Sequence, residues 1–182
     1  MPTLHGSVLR AERLLMKKTL RFTIILAILL TSVGCDQVAK SAARHFLSPY
    51  KPLSFCADLV RLEYVENPGA FMSIGEDLPS SARKVVFVFL ICILLAMFAV
   101  IVRTYSKMNL LEAIGVALST GGIAGNLIDR IINDGRVVDF ANLGIGPLRT
   151  GIFNIADVAI LVGAGLFIIG SFWIRERSTT AA

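Results

Sequence analysis

At 182 residues, with 55% hydrophobic content and a mean hydropathy of +0.72, the chain is too apolar to be an ordinary soluble domain, for which roughly 45–50% is usual. Its formal charge of +5 collects near the ends of apolar stretches, which points to membrane orientation and gives no sign of a nucleic-acid partner. Three cysteines and two histidines, without an HExxH or CxxC pattern, offer neither a disulfide framework nor a metal site, and no cofactor is expected.

In chain order, residues 1–19 read as a cytoplasmic tail: the first 15 lack apolar periodicity, and "MKKTLRF" from Met16 looks like an alternative start. A first span over about 21–41 ends in "ILLTSVGCDQVAK". Two lysines, an apolar run and small residues before Cys35 are nearly the cleavage signal of a bacterial lipoprotein. Such signals usually have leucine three residues before the cysteine, where this chain has Ser32, and here three further spans follow. Cys35 is therefore expected to pack in span one as a small apolar side chain. Asp36 and Lys40 lie one turn apart at the outer end of that span, either as a salt bridge or as part of a site.

Further spans are predicted over 82–103, 110–130 and about 152–174, each near or above the ~20 residues that cross a bilayer. No linker or repeat divides the chain, so 20–175 is one four-helix membrane domain, and 176–182 is a cytoplasmic tail. Arg10, Arg13, Lys17, Lys18 and Arg21 put the N-terminus inside, and with four spans the C-terminus is inside too. Arg83 and Lys84 run against that rule, so the N-terminal cluster decides the orientation.

The two segments on the outer side, about 42–81 and 131–151, both carry strand signals. "DLVRLEYVEN" alternates with period two before the Pro68–Gly69 break, and "NDGRVVDF" pairs an Asp-Gly turn with two valines. The fold class is therefore an α-helical membrane protein, a four-helix bundle with a small extracytoplasmic β-structured cap. Gly121 and Gly125 have the small-xxx-small spacing that lets helices approach, which makes span three the central one.

Charged groups near hydrocarbon are expensive unless paired or facing water, so each is a candidate. Asp36 and Lys40, then Asn126, Asp129 and Arg130, then Asn154 and Asp157 all fall at the same outer depth, and i,i+3 or i,i+4 spacing puts each set on one helix face. Asp129 and Arg130 read first as an ion pair between neighbours, Asn126 and Asn154 as caps and cross-links, and Asp134 as a turn residue. Asp139 and Asp157 have no adjacent base and rank highest. Two carboxylates sharing a low-dielectric pocket cannot easily both ionise, and such a pair supplies a base and an acid together.

"DQVAK", "ENPGAF", "GGIAGNLIDR", "VVDF" and "FNIAD", in this order across residues 20–175, resemble the motif regions of the lipoprotein signal peptidase (signal peptidase II) family. The resemblance implies an intramembrane aspartic endopeptidase with four spans and an outer β-cradle, in the bacterial inner membrane. Its substrates are lipid-modified prolipoproteins, cut just before the diacylglyceryl cysteine. It implies Asp139 and Asp157 as the catalytic pair, with Asp36, Lys40, Asn67, Gly69, Asn126, Asp129, Arg130 and Asn154 shaping the pocket and holding substrate. No cofactor is implied; membrane lipids surround the chain, which is expected to be a monomer. Phe71 directly after Ala70 departs from the family pattern, and the glycine-rich "ANLGIGPLRTGI" predicts a looser segment between the aspartates. A Ser/Lys peptidase would need Ser41 and Lys40 to converge, yet helix neighbours diverge; a proton-coupled transporter would place its carboxylates near the midplane.

Overall fold

A computed structural model describes residues 4–49, 51–69, 80–105 and 108–180. In chain order it contains α1 (Leu4–Phe46), β1 (Leu53–Phe55), β2 (Val60–Asn67), α2 (Ser80–Thr104), α3 (Leu110–Ile132), β3 (Val137–Ile145), β4 (Leu148–Arg149) and α4 (Ile155–Thr180). Helix α1 runs back through the stretch read as a tail. Among the described residues three helices are long and apolar enough to cross a membrane, over Leu15–Phe46, Leu110–Ile132 and Ile155–Phe172. The remaining expected span falls on α2, whose described apolar stretch is Val88–Ile101.

Helix α3 opens with a reciprocal cap: Asn109 Oδ1 accepts from the Glu112 amide at 2.8 Å, and Glu112 Oε2 accepts from the Asn109 amide at 2.8 Å. It closes at a turn in which Asp134 and Gly135 both take positive φ, the left-handed geometry that an Asp-Gly pair tolerates. Between these ends α3 packs against each of the other three helices. Its glycines permit this. A Cβ on Gly121 would lie 2.7 Å from Ser32 Cβ of α1; one on Gly122 would lie 2.4 Å from the Ala156 carbonyl oxygen, and one on Gly115 2.5 Å from that of Gly163 in α4. The expected Gly121–Gly125 contact is thus with α1, and Gly115 and Gly122 do the same work toward α4.

The packed interior combines an apolar cluster of Ile25, Ile101, Ala113, Val116 and Ala117 with buried Ser119, Thr120 and the charged set, while Phe89, Leu95, Phe98, Leu161, Ile169 and Phe172 point outward. That arrangement leaves large apolar surfaces open in water but is natural in lipid, where helices gain little by burying leucine and more by close van der Waals contact. Cys35 is exposed on the outward side of α1, so the expected packing inside the span does not occur.

The strands form one antiparallel sheet in the order β1-β2-β3-β4, with Val65 opposite Asp139 and Asn67 opposite Val137. The register shifts between Leu62 and Val65, and burial along β2 does not alternate as the sequence pattern predicts. The β1–β2 turn places Cys56, Ala57 and Asp58 all at positive φ, a strain of about 1 kcal/mol or more per residue that its surroundings must hold. The Asp58 carboxylate accepts from Arg61 Nε at 2.7 Å and Ser54 Oγ at 2.8 Å, which keeps it well below the usual carboxylate range, and Arg149 Nη1 donates to the Asp58 carbonyl at 2.9 Å. Arg149 also donates to Asn142 Oδ1, and the Thr150 amide donates to the Leu143 carbonyl at 2.7 Å. The glycine-rich segment between the aspartates is therefore a cross-braced hairpin and not the looser clamp expected. The departure at Ala70–Phe71 lies outside the described residues.

The helix contacts give the first expected outcome. Gly115→Val drives a side chain into the α4 backbone and should cost about 1–3 kcal/mol of stability in detergent, whereas Gly165→Ala, with nothing within 4 Å of its Cβ, should leave the melting temperature nearly unchanged. Equal melting temperatures for the two variants would contradict the packing described.

Candidate active site

The three polar sets predicted to lie at one depth do meet, where α1, α3 and the start of α4 converge beneath β3. Asp139 enters from β3 as the third residue of a strand whose first two valines are buried. Its Oδ2 accepts from Asn67 Nδ2 at 2.8 Å and its Oδ1 from Asn154 Nδ2 at 2.6 Å. Among the described residues, two side-chain amides hold it by hydrogen bonds.

Asp157 is fixed by the way α4 begins. Asn154 precedes the helix and its Oδ1 accepts from the Asp157 amide at 3.0 Å, while Asp157 Oδ2 accepts from the Asn154 amide at 3.2 Å. This is the capping-box geometry, with Asn and Asp in the reciprocal roles. The other oxygen, Oδ1, accepts from Asn126 Nδ2 at 3.0 Å. Asn154 thus binds one carboxylate through its side-chain amine and the backbone of the other through its side-chain oxygen, and so joins the two aspartates.

Around this pair stands a second layer. Lys40 Nζ lies 2.8 Å from Asp36 Oδ2, 3.4 Å from Asp129 Oδ2 and 2.7 Å from Asn126 Oδ1. The salt bridge Asp36–Lys40 exists, but as part of a larger cluster. The expected pair Asp129–Arg130 is replaced: Asp129 faces Lys40 and, at 3.9 Å, Arg44, because consecutive helix residues point about 100° apart. Arg130 Nη2 instead donates to the Gly69 carbonyl at 2.8 Å, and the Gly69 amide donates to Asn67 Oδ1 at 2.7 Å, which ties the end of β2 to α3. Arg130 also acts electrostatically on Asp139 and Asp157. Asn126 Oδ1 additionally accepts from Asn154 Nδ2 at 3.1 Å. All ten residues singled out from the sequence belong to one network.

The family model described as Signal peptidase (SPase) II matches residues 27–173. The chain belongs to the signal peptidase II family. It is 34% identical over 142 residues to a protein of Hydrogenovibrio crunogenus named Lipoprotein signal peptidase, covering 78% of this chain and 81% of that one. A relative of the same name from a Sulfurihydrogenibium species is 33% identical over 165 residues, covering 90% and 98%. A solved bacterial membrane enzyme, determined by the in meso method at 2.3 Å, superposes with a TM-score of 0.71 at 26% identity, over 86% of this chain and 91% of that one. The protein is accordingly a membrane-embedded bacterial peptidase of mostly helical architecture with a small sheet.

In this signal peptidase II the sequence pattern missed three features. Gln37, inside "DQVAK", donates to the Gly125 carbonyl at 3.1 Å and to Asp129 Oδ1 at 3.2 Å. Gly125 itself admits the Asp36 carboxylate, since a Cβ there would lie 2.6 Å from Asp36 Oδ2. The third is a pair of backbone amides, Val138 and Ala156, that donate to Asp129 and Asp36. Backbone donors leave no mark in a sequence, but a glycine one turn before a polar set is a usable sign of close approach.

Burial pushes the Asp139 carboxyl up to about 6; the Asn67 hydrogen bond opposes this and the Asp157 charge adds to it. A folded pKa above the ordinary 3.8 means that the folded state binds the proton more tightly, so this contribution to stability is present below pH 4 and is lost as pH rises through about 6. Relative to Asp139→Asn, the parent should therefore lose on the order of 2–3 kcal/mol between pH 4 and pH 7. Thermal unfolding of both proteins across that range measures it; a difference independent of pH would contradict the buried-acid description.

Proposed function

We propose that this protein removes signal peptides from bacterial prolipoproteins, cutting the bond just before a diacylglyceryl-modified cysteine, with Asp139 and Asp157 activating the water. The observation that carries the reading is the pair of buried carboxylates held by amides and joined through Asn154. The names of the relatives support the substrate class.

The chemistry follows from sharing one proton between two acids. The ionised member takes a proton from water as its oxygen attacks the scissile carbonyl carbon, while the protonated member gives its proton to the carbonyl oxygen. A neutral tetrahedral intermediate results. Its collapse returns a proton to the departing nitrogen, breaks the C–N bond and leaves a signal-peptide carboxylate and a free amine on the lipidated cysteine. The titration belongs to the pair. Two acids are what such a site needs: Lys40 is bound by Asp36 and Asp129, while Asp139 and Asp157 are held directly by the amides of Asn67, Asn154 and Asn126.

Around the dyad, Asn67, Gly69, Asn126, Arg130 and Asn154 shape the pocket and hold the substrate backbone, and Asp36, Lys40 and Asp129 support them. The chain lies in the cytoplasmic membrane as a monomer with four spans, both termini inside, and the sheet as an outer cradle over the site. The N-terminal basic cluster supports this orientation.

Purified protein in detergent with a lipid-modified prolipoprotein tests the proposal. Asp139→Asn and Asp157→Asn should each lower cleavage by about 10³-fold or more while remaining folded. Cleavage retained by either variant would overturn the dyad, and failure of the parent to cut any lipidated precursor would overturn the substrate.

A further inference from the structure

The two aspartates of the dyad share a feature that their side chains do not explain. The residue before Asp139 is Val138, and its backbone amide donates to Asp129 Oδ2 at 2.9 Å. The residue before Asp157 is Ala156, and its amide donates to Asp36 Oδ1 at 2.9 Å. Each reactive carboxylate thus follows a peptide unit clamped by a different, fully buried carboxylate. The two clamping carboxylates come from different helices, α3 and α1, and both grip the same ammonium, that of Lys40.

Lys40 has nothing left to offer a substrate. A protonated amine has three N–H donors, and this one faces three acceptors: Asp36 at 2.8 Å, Asp129 at 3.4 Å and Asn126 at 2.7 Å. It is 1% exposed. The third acceptor follows the same pattern, because holding Asn126 by its oxygen turns its amine onto Asp157 Oδ1 at 3.0 Å. Through each of its three acceptors Lys40 is linked to a dyad member or to the residue just before one.

We propose that Lys40, Asp36 and Asp129 form a positioning clamp that sets the spacing of the dyad through the Val138 and Ala156 backbone amides, without touching substrate. Gln37 braces it through Asp129, and Gly125 leaves the space in which Asp36 sits. This rests on the dyad reading above: the Asp36 and Asp129 carboxylates accept backbone amides at fixed points, Lys40 holds the two carboxylates together, and none of the three transfers a proton or binds substrate.

Asparagine and leucine at the same position separate these roles. Asparagine keeps an oxygen that can accept the amide; leucine has similar size and none. Asp129→Asn and Asp36→Asn should retain kcat within about tenfold, whereas Asp129→Leu and Asp36→Leu should lose about 10²-fold or more, since a displacement of about 1 Å has that effect. KM for the lipidated precursor should stay within about threefold throughout. Amide hydrogen exchange gives a readout independent of cleavage: Val138 and Ala156 should exchange faster in the respective leucine variant than in the asparagine variant or the parent. Asparagine variants as inactive as leucine variants, a rise in KM at constant kcat, or unchanged exchange at both amides would each overturn the clamp. If the leucine variants do not fold, the asparagine variants decide, and a loss beyond tenfold in kcat overturns it. Exchange that behaves as described while Asp139→Asn still cleaves would refute the dyad and leave standing only the hold of Asp129 and Asp36 on the Val138 and Ala156 amides.

Discussion

Close approach of α3 to its neighbours is the constraint on which the site depends. A polar network at membrane depth is stable only if each group meets a partner within hydrogen-bond distance, and α1, α3 and α4 come that near only where side chains are missing. Gly121, Gly122 and Gly125 occupy three of the positions before Asn126, and each would collide with α1 or α4 if it carried a Cβ. The same turn of helix therefore removes bulk and introduces polarity. With α1 and α4 pressed against it, the Asp36 carboxylate reaches the Ala156 amide, and Asn126 spans the gap between Lys40 and Asp157.

The sheet makes a complementary contribution. It carries Asp139 and Asn67 on neighbouring strands, so that their side chains meet. The strained β1–β2 turn is held by Arg61 and by Arg149 from the β3–β4 hairpin, which links the two strand-bearing segments. Of the two linked aspartates, Asp139 thus belongs to a braced strand and Asp157 to the first turn of a capped helix. Both are regular elements with their backbone bonds satisfied, which holds the two side chains at fixed positions.

Much of this was legible in the sequence because charge in an apolar context is rare and spacing on a helix fixes its face. Asn126 with Asp129, and Asn154 with Asp157, were recognisable in that way, as was the Asp-Gly turn before β3. The errors share a cause. Asp129 and Arg130 are adjacent in the chain but point apart on the helix, so adjacency suggested a pair that geometry forbids. Cys35 was expected to pack inward, but facing outward in α1 is no penalty where the exterior is lipid. The glycine-rich segment after Asp139 suggested slack, because the arginine that braces it finds its partners on a hairpin about ninety residues earlier.

Cys35 and Asp36 define a sharp boundary on α1: one side chain faces outward and the next is wholly enclosed. A single inserted or deleted residue upstream in this helix would turn everything beyond it by about 100°, moving the clamping carboxylate out toward lipid and the thiol toward the interior. The site therefore tolerates substitution on the outward face of α1 far better than a change in the number of residues between the packed part of this helix and Asp36. The polar and lipid faces of α1 act as a reading frame for the site, fixed by angle and not by any one contact.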